Sequence, residues 1–134
     1  MTCPIFIVSA LLLAAQGFLF AGNWGHWRGP KGNGSAEEAQ PPTSWGPAKN
    51  IKWKTPIPGR SSGSPVVWEE NVFVVSAVAT AGKSGFDGRS LSRLAFKVFC
   101  YDRRTGKTRW QRTAVEAVPH EGTHSTNGFA SASP

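Results

Sequence analysis

The stretch from Ser64 to Thr113 carries apolar residues on both sides of consecutive short strands. That pattern restricts the fold more than anything else in the chain. Four strands are expected, at Ser64–Trp68, Val72–Ala77, Phe96–Asp102 and Thr108–Thr113. In the second, Val72 and Val74 oppose Phe73 and Val75. In the third, Phe96, Val98 and Cys100 point one way, and Phe99 and Tyr101 point the other. Successive side chains on a strand alternate between faces, so a sheet with one wet face alternates apolar and polar residues. The inner strands here do not. A sheet built from them needs cover on both sides, and one four-stranded unit has nothing in this chain to supply both covers.

Composition favours the same class. Charged residues make up 17% of the 134, against roughly 25% in ordinary domains, while Gly (15) and Pro (10) are plentiful. Turns and short strands suit that mixture, and no window shows clean 3.6-residue periodicity. The length allows one ordinary domain at most.

The first 22 residues read as a secretory signal. Ile5–Ala21 is apolar apart from Ser9, Gln16 and Gly17, and its core Ile5–Ala15 has the length of a signal h-region. Cleavage is expected at Ala21-Gly22 or near Ala15-Gln16-Gly17, although the n-region has no Lys or Arg. An uncleaved membrane anchor is the alternative. Cys3 lies in that segment, so Cys100 stands alone in the mature chain and no intrachain disulfide is expected. Its place inside an apolar strand predicts a buried, inert thiol.

The net charge of +7 is local. Residues 79–113 hold nine basic groups and two acidic ones, a difference equal to the whole +7. A basic face suits nucleic acid, an anionic membrane or an acidic glycan. These charges fall in a loop, a turn and an outer strand, where water solvates them, and no nucleic-acid partner is expected. The membrane is expected to matter only through the signal segment, if it is uncleaved.

Residues 23–49 form an irregular Gly-, Pro- and Trp-rich segment whose Trp24, Trp27 and Trp45 need a surface on which to bury their rings. Asn50–Ile57 alternates Ile51, Trp53 and Thr55 against Lys52 and Lys54, which predicts a half-buried edge strand stopped by Pro56 and Pro58. Glu69-Glu70-Asn71 is expected to make a tight hairpin, with Asn71 taking positive φ. Thr80–Leu94 reads as an exposed insertion. Asp102–Lys107 reads as a second hairpin turn, with Asp102 bonding its own turn backbone and Gly106 in the left-handed position. Ala114–Asn127 reads as loop. Ser131-Ala132-Ser133-Pro134 then repeats the Ser-Pro opening at Ser61–Pro65, 69 residues on.

Ser64-Pro65-Val66-Val67, Val72-Phe73-Val74, Val98-Phe99-Cys100-Tyr101-Asp102 and Thr105-Gly106-Lys107-Thr108-Arg109-Trp110 together resemble the pyrroloquinoline-quinone-type (quinoprotein) β-propeller repeat. Trp24-x-x-Trp27-Arg28-Gly29-Pro30, with Gly32 and Gly34, and Trp53-Lys54 are similar to the start of secreted members of this group. The resemblance covers about residues 24–134 and departs from the bare repeat at the 80–94 insertion. It implies an all-β chain: the first blade, of four antiparallel strands at about 64–113, and the start of a second, in a partial propeller over 50–134. It implies turn roles for Asp102, Thr105 and Gly106, and a blade-docking role for Trp110. The group includes quinone-dependent alcohol and sugar dehydrogenases, which take pyrroloquinoline quinone and calcium, and non-catalytic scaffolds. Dehydrogenases gather their site from several blades, so no catalytic, cofactor or metal residue carries over to this chain.

His120-Glu121-Gly122-Thr123-His124 spells the His-Glu-x-x-His of zinc peptidases. That chemistry needs a helix, so that both imidazoles meet one metal while the Glu activates water. Pro119, Gly122 and Ser125–Gly128 predict a loop instead, and the extended pattern fails at Asn127 and Ala130. The reading is a polar loop with no metal, in which His120, Glu121 and His124 could line a mouth of the propeller. Gly29–Gly34 is expected to be a turn packed beside Trp27, since no strand precedes it and no Lys-Ser/Thr ends it. Asn33-Gly34-Ser35 fits a glycosylation sequon. The expected function is an exported, non-catalytic binding scaffold in the periplasm, at the cell surface or outside the cell. Its expected partners are the missing blades and an envelope protein or glycan. The alternative is the N-terminal part of a quinone-dependent alcohol or sugar dehydrogenase.

Overall fold

The structure, a computed structural model, describes residues 22–37, 39–80 and 92–134. The expected signal segment, apart from Gly22, and most of the expected insertion lie outside them. Among the described residues no helix is long and apolar enough to cross a membrane.

The described residues are all-β, with no α-helix. Four strands, β1 (Val66–Trp68), β2 (Asn71–Ala79), β3 (Leu94–Asp102) and β4 (Thr108–Ala117), form one antiparallel sheet in the order β1-β2-β3-β4. The strands run further than their apolar cores suggest. β2 and β3 pair out to Ala79 and Leu94, so the crossing between them is shorter than Thr80–Leu94. Thr80 helps to close it, its amide donating to the Arg93 carbonyl at 3.2 Å. With β3 starting at Leu94, β4 finds partners as far as Ala117, where a loop is expected from Ala114. β1 is shorter than expected at its start, where Pro65 has no N–H to give the ladder.

The register puts Val72, Val74, Phe99 and Tyr101 on one face, since Val74 pairs Phe99 and Val72 pairs Tyr101. Val74, Phe99 and Tyr101 are buried, with Val72 and Val78 against them. The Phe99 and Tyr101 rings lie 6.2 Å apart, almost parallel at 9°. On the second face Ala77 and Leu94 are buried beneath Ala130, with Val75, Ala79, Phe96 and Phe129 around them. Residues 128–130 thus cover one end of that face. At the other end Val66 and Cys100 are buried, but Trp68 and Trp110 stay open to solvent, 52% and 39% exposed.

Asn50–Ile57 is not a strand. Only Trp53 and Thr55 turn inward, while Ile51 is exposed. Side chains hold the segment: Trp53 Nε1 donates to the Arg103 carbonyl at 2.9 Å, and Thr55 Oγ1 to the Gly106 carbonyl at 2.7 Å. The outer edge of β1 is met by Trp24, which exchanges two backbone bonds with Val67 at 2.7 and 2.9 Å. The Gly29 turn therefore packs beside Trp24: a Cβ at Gly29 would lie 2.7 Å from the Trp24 ring. Trp27 and Trp45 do not bury their rings; they are 61% and 64% exposed. Arg28 supplies part of the cover for Trp27, its guanidinium carbon 4.8 Å from the ring centroid. In the first hairpin, Glu69 rather than Asn71 takes positive φ, at 51°. Asn71 opens β2 instead, opposite Trp68.

Pro58–Arg60 continues the line of β1. Arg60 exchanges two 3.0 Å backbone bonds with Ala77, and the buried Ser76 hydroxyl donates to the Pro58 carbonyl at 2.6 Å. Gly59 sits between them at φ 83°, where an added Cβ would stand 2.2 Å from the Ala77 carbonyl oxygen. Both the backbone angle and the contact exclude a side chain. Gly59→Ala is expected to destabilise the chain by about 2–3 kcal/mol, read as a lower urea midpoint at unchanged slope. An unchanged midpoint would show that this edge is not held as described.

Candidate functional site: the Asp102 turn and the open face

Asp102 ends β3 and organises the hairpin that follows. Its Oδ1 accepts from the amides of Arg104 and Thr105 at 3.0 and 2.8 Å and from the Thr105 hydroxyl at 2.9 Å. The Gly106 amide donates to the Asp102 carbonyl at 2.8 Å, and the Asp102 amide to the Lys107 carbonyl at 2.8 Å. Gly106 is in the left-handed region at φ 71°. It is buried because the Trp53 ring lies over it; a Cβ there would be 2.6 Å from that ring. The three turn residues expected from sequence are thus brought together.

Arg109 joins them, which the sequence reading missed. β4 has two bulges. Cys100 faces Trp110 while Tyr101 faces Thr108, so Arg109 is an extra residue with no partner across the ladder. A bulge bends the strand and re-aims the extra side chain. Here the guanidinium reaches Asp102 Oδ2 at 2.5 Å and Asn71 Oδ1 at 3.2 Å. Asn71 Oδ1 also accepts a 3.4 Å contact from the buried Cys100 thiol. The thiol is as buried as expected, and burial pushes its pKa up, with the Arg109 charge opposing. The two hairpin turns are also tied directly, as the Arg103 amide donates to the Glu70 carbonyl at 2.9 Å and its guanidinium to the Glu69 carbonyl at 3.1 Å. One signal of the Arg109 role stands in the sequence: Asp and Arg seven apart across a hairpin of this length come back together.

Trp110 lies on the open face. Its ring meets Phe73 at 5.9 Å and 51°, and Trp68 and Val115 are exposed on the same side of the sheet. β4 is otherwise polar towards the first face, placing Gln111, Thr113 and Glu116 opposite Phe99, Lys97 and Ala95.

The 120–124 loop does not join the turn or the open face. His120, Glu121 and His124 are exposed and not helical, and His124 Nδ1 accepts from the Thr126 amide at 3.3 Å. Among the described residues no three of His, Cys, Asp and Glu converge. No family model matches the chain, and neither a curated protein nor a solved structure is significantly similar to it.

The Asp102 carboxyl is held well below the usual carboxylate range. The Arg109 side chain contributes most, followed by the Thr105 hydroxyl and amide. A carboxyl whose folded pKa lies below its unfolded value of about 3.9 stabilises the fold fully above that pH. The contribution is lost as pH falls towards the folded value. Asp102→Asn is therefore expected to be less stable than the parent chain at neutral pH, with the difference in Tm shrinking as pH drops from about 5 to about 2. A pH-independent difference would contradict the Asp102–Arg109 pairing.

Proposed function

We propose that this sheet is one blade of a quinoprotein-like β-propeller in an exported, non-catalytic binding scaffold. The observation that carries the reading is the open end of the second face. Trp68 and Trp110 remain exposed there, with Trp110 against Phe73, on a sheet whose inner strands are apolar on both sides. An apolar patch of this kind marks a contact surface. The occupant that fits is another twisted four-stranded sheet, because closing a ring of such sheets covers both faces of each and leaves only short edges.

Two features support the reading. The turn from Asp102 to Trp110 sets the indole on the open face at a fixed offset from the hairpin. The Ser-rich openings at 61–65 and 131–134 also lie side by side, joined by Ser62 and Gly63 amides donating to the Ala130 carbonyl at 3.0 and 3.3 Å. Innermost strands of neighbouring blades begin beside one another in this way around an axis. The sister blades come from the same polypeptide or from another.

The test is the behaviour of the chain in solution. With the patch uncovered, it is expected to associate in a concentration-dependent manner in sedimentation velocity and to bind a hydrophobic dye. Trp68→Ser with Trp110→Ser should suppress both. A monodisperse monomer that binds no dye would overturn the blade reading. Dye reduction with alcohols or sugars on adding pyrroloquinoline quinone and calcium would overturn the non-catalytic one.

A further inference from the structure

A second feature lies away from the open face. Between the Gly29 turn and the paired Ser-rich segments is an open depression of about 520 Å³, lined by His26, Trp27, Ser62, Ser64, Ser131 and Ser133. That size falls within the ~300–1,000 Å³ of small-molecule clefts. We infer that it is a subsite for a neutral saccharide.

The chemistry of the lining selects the ligand class. Among the described residues no Asp, Glu, Lys or Arg lines the depression, and the Arg28 guanidinium lies over the Trp27 ring beside it. Trp27 lines the depression and is 61% exposed, with the Arg28 guanidinium carbon 4.8 Å from its ring centroid. A pyranose ring has one face rich in C–H groups and a rim of hydroxyls. It stacks on an aromatic ring through the first and exchanges hydrogen bonds through the second. The depression offers both halves. The Ser62, Ser64 and Ser133 hydroxyls and the His26 imidazole have no hydrogen-bond partner among the described residues, whereas Ser131 Oγ is already engaged with the Gly128 carbonyl at 2.7 Å. Hydroxyls donate and accept, and an imidazole adds a further polar partner, matching sugar hydroxyls, which also do both.

The walls are also fixed in advance. The Ser62 and Gly63 amides both bond the Ala130 carbonyl, at 3.0 and 3.3 Å. A Cβ at Gly63 would lie 2.3 Å from the Ala132 carbonyl oxygen, so only glycine lets the two segments approach this closely. A polar site held by backbone contacts spends little ordering entropy on binding. The inference does not depend on whether the sheet closes into a ring.

Titration of the full chain with cellohexaose, xylohexaose and chitohexaose tests it, followed by saturation-transfer NMR and indole fluorescence. At least one oligosaccharide is expected to bind with Kd of roughly 1 mM or tighter. Trp27→Ala should weaken it by about tenfold or more, and Ser64→Ala by several-fold. Trp45→Ala removes an equally exposed indole outside the depression and should change nothing. No binding by any of the three sugars would overturn the inference. So would binding that survives Trp27→Ala, equal loss in Trp45→Ala, or saturation only by a proline-rich peptide control.

Discussion

Neither face of the β2–β3 pair can be left in water, and the rest of the molecule is arranged around that constraint. Burying an apolar side chain is favourable by about 1.5–3 kcal/mol, and both strands carry such side chains on both sides. One face is dry over Val74, Phe99 and Tyr101. The other is dry where Ala130 and Phe129 lie over Ala77 and Leu94. The remaining part of it holds two exposed indoles. The sheet is thus finished at one end and prepared for contact at the other.

The ends of the strands are tied as firmly as the faces are packed. A hairpin turn in isolation is a weak element. Here Asp102 closes one turn, the Arg103 backbone and side chain bond the other, and Trp53 lies over Gly106. The bulge at Arg109 gives up one ladder position and gains a carboxylate partner. Charge-assisted bonds of this kind are shorter and stronger than neutral ones. The same bulges disturb the ladder of the exposed β4, which with its arginines makes a poor template for unwanted strand pairing.

How much of this could be read from sequence follows from the range of the forces involved. β2, β3 and their facing pattern were legible, because alternation along a strand is local. The Asp102–Gly106 turn was legible too, since its bonds join residues within five of each other. What failed was non-local. Asn50–Ile57 alternates like a strand, but Trp53 and Thr55 find turn carbonyls rather than a neighbouring ladder. Positive φ falls on Glu69 rather than Asn71, because Asn71 is drawn into the ladder and its side chain into the Cys100–Arg109 cluster. Trp27 and Trp45 stay exposed, since burying them needs a surface that their own segment does not provide. Arg109 sits on a bulge that alternation along β4 does not mark; only its spacing of seven from Asp102 hints at the pairing. The Ser-rich depression depends on two segments nearly 70 residues apart in sequence.

Hydroxyl-radical footprinting read by mass spectrometry measures the solvent access of each side chain, and so bears most directly on the two-faced sheet. At concentrations low enough to prevent association, Phe99, Tyr101, Leu94 and Cys100 should be protected, and Trp68 and Trp110 should react rapidly. Equal reactivity of Phe99 and Tyr101 with Trp68 would mean that the first face is wet, and would contradict the account.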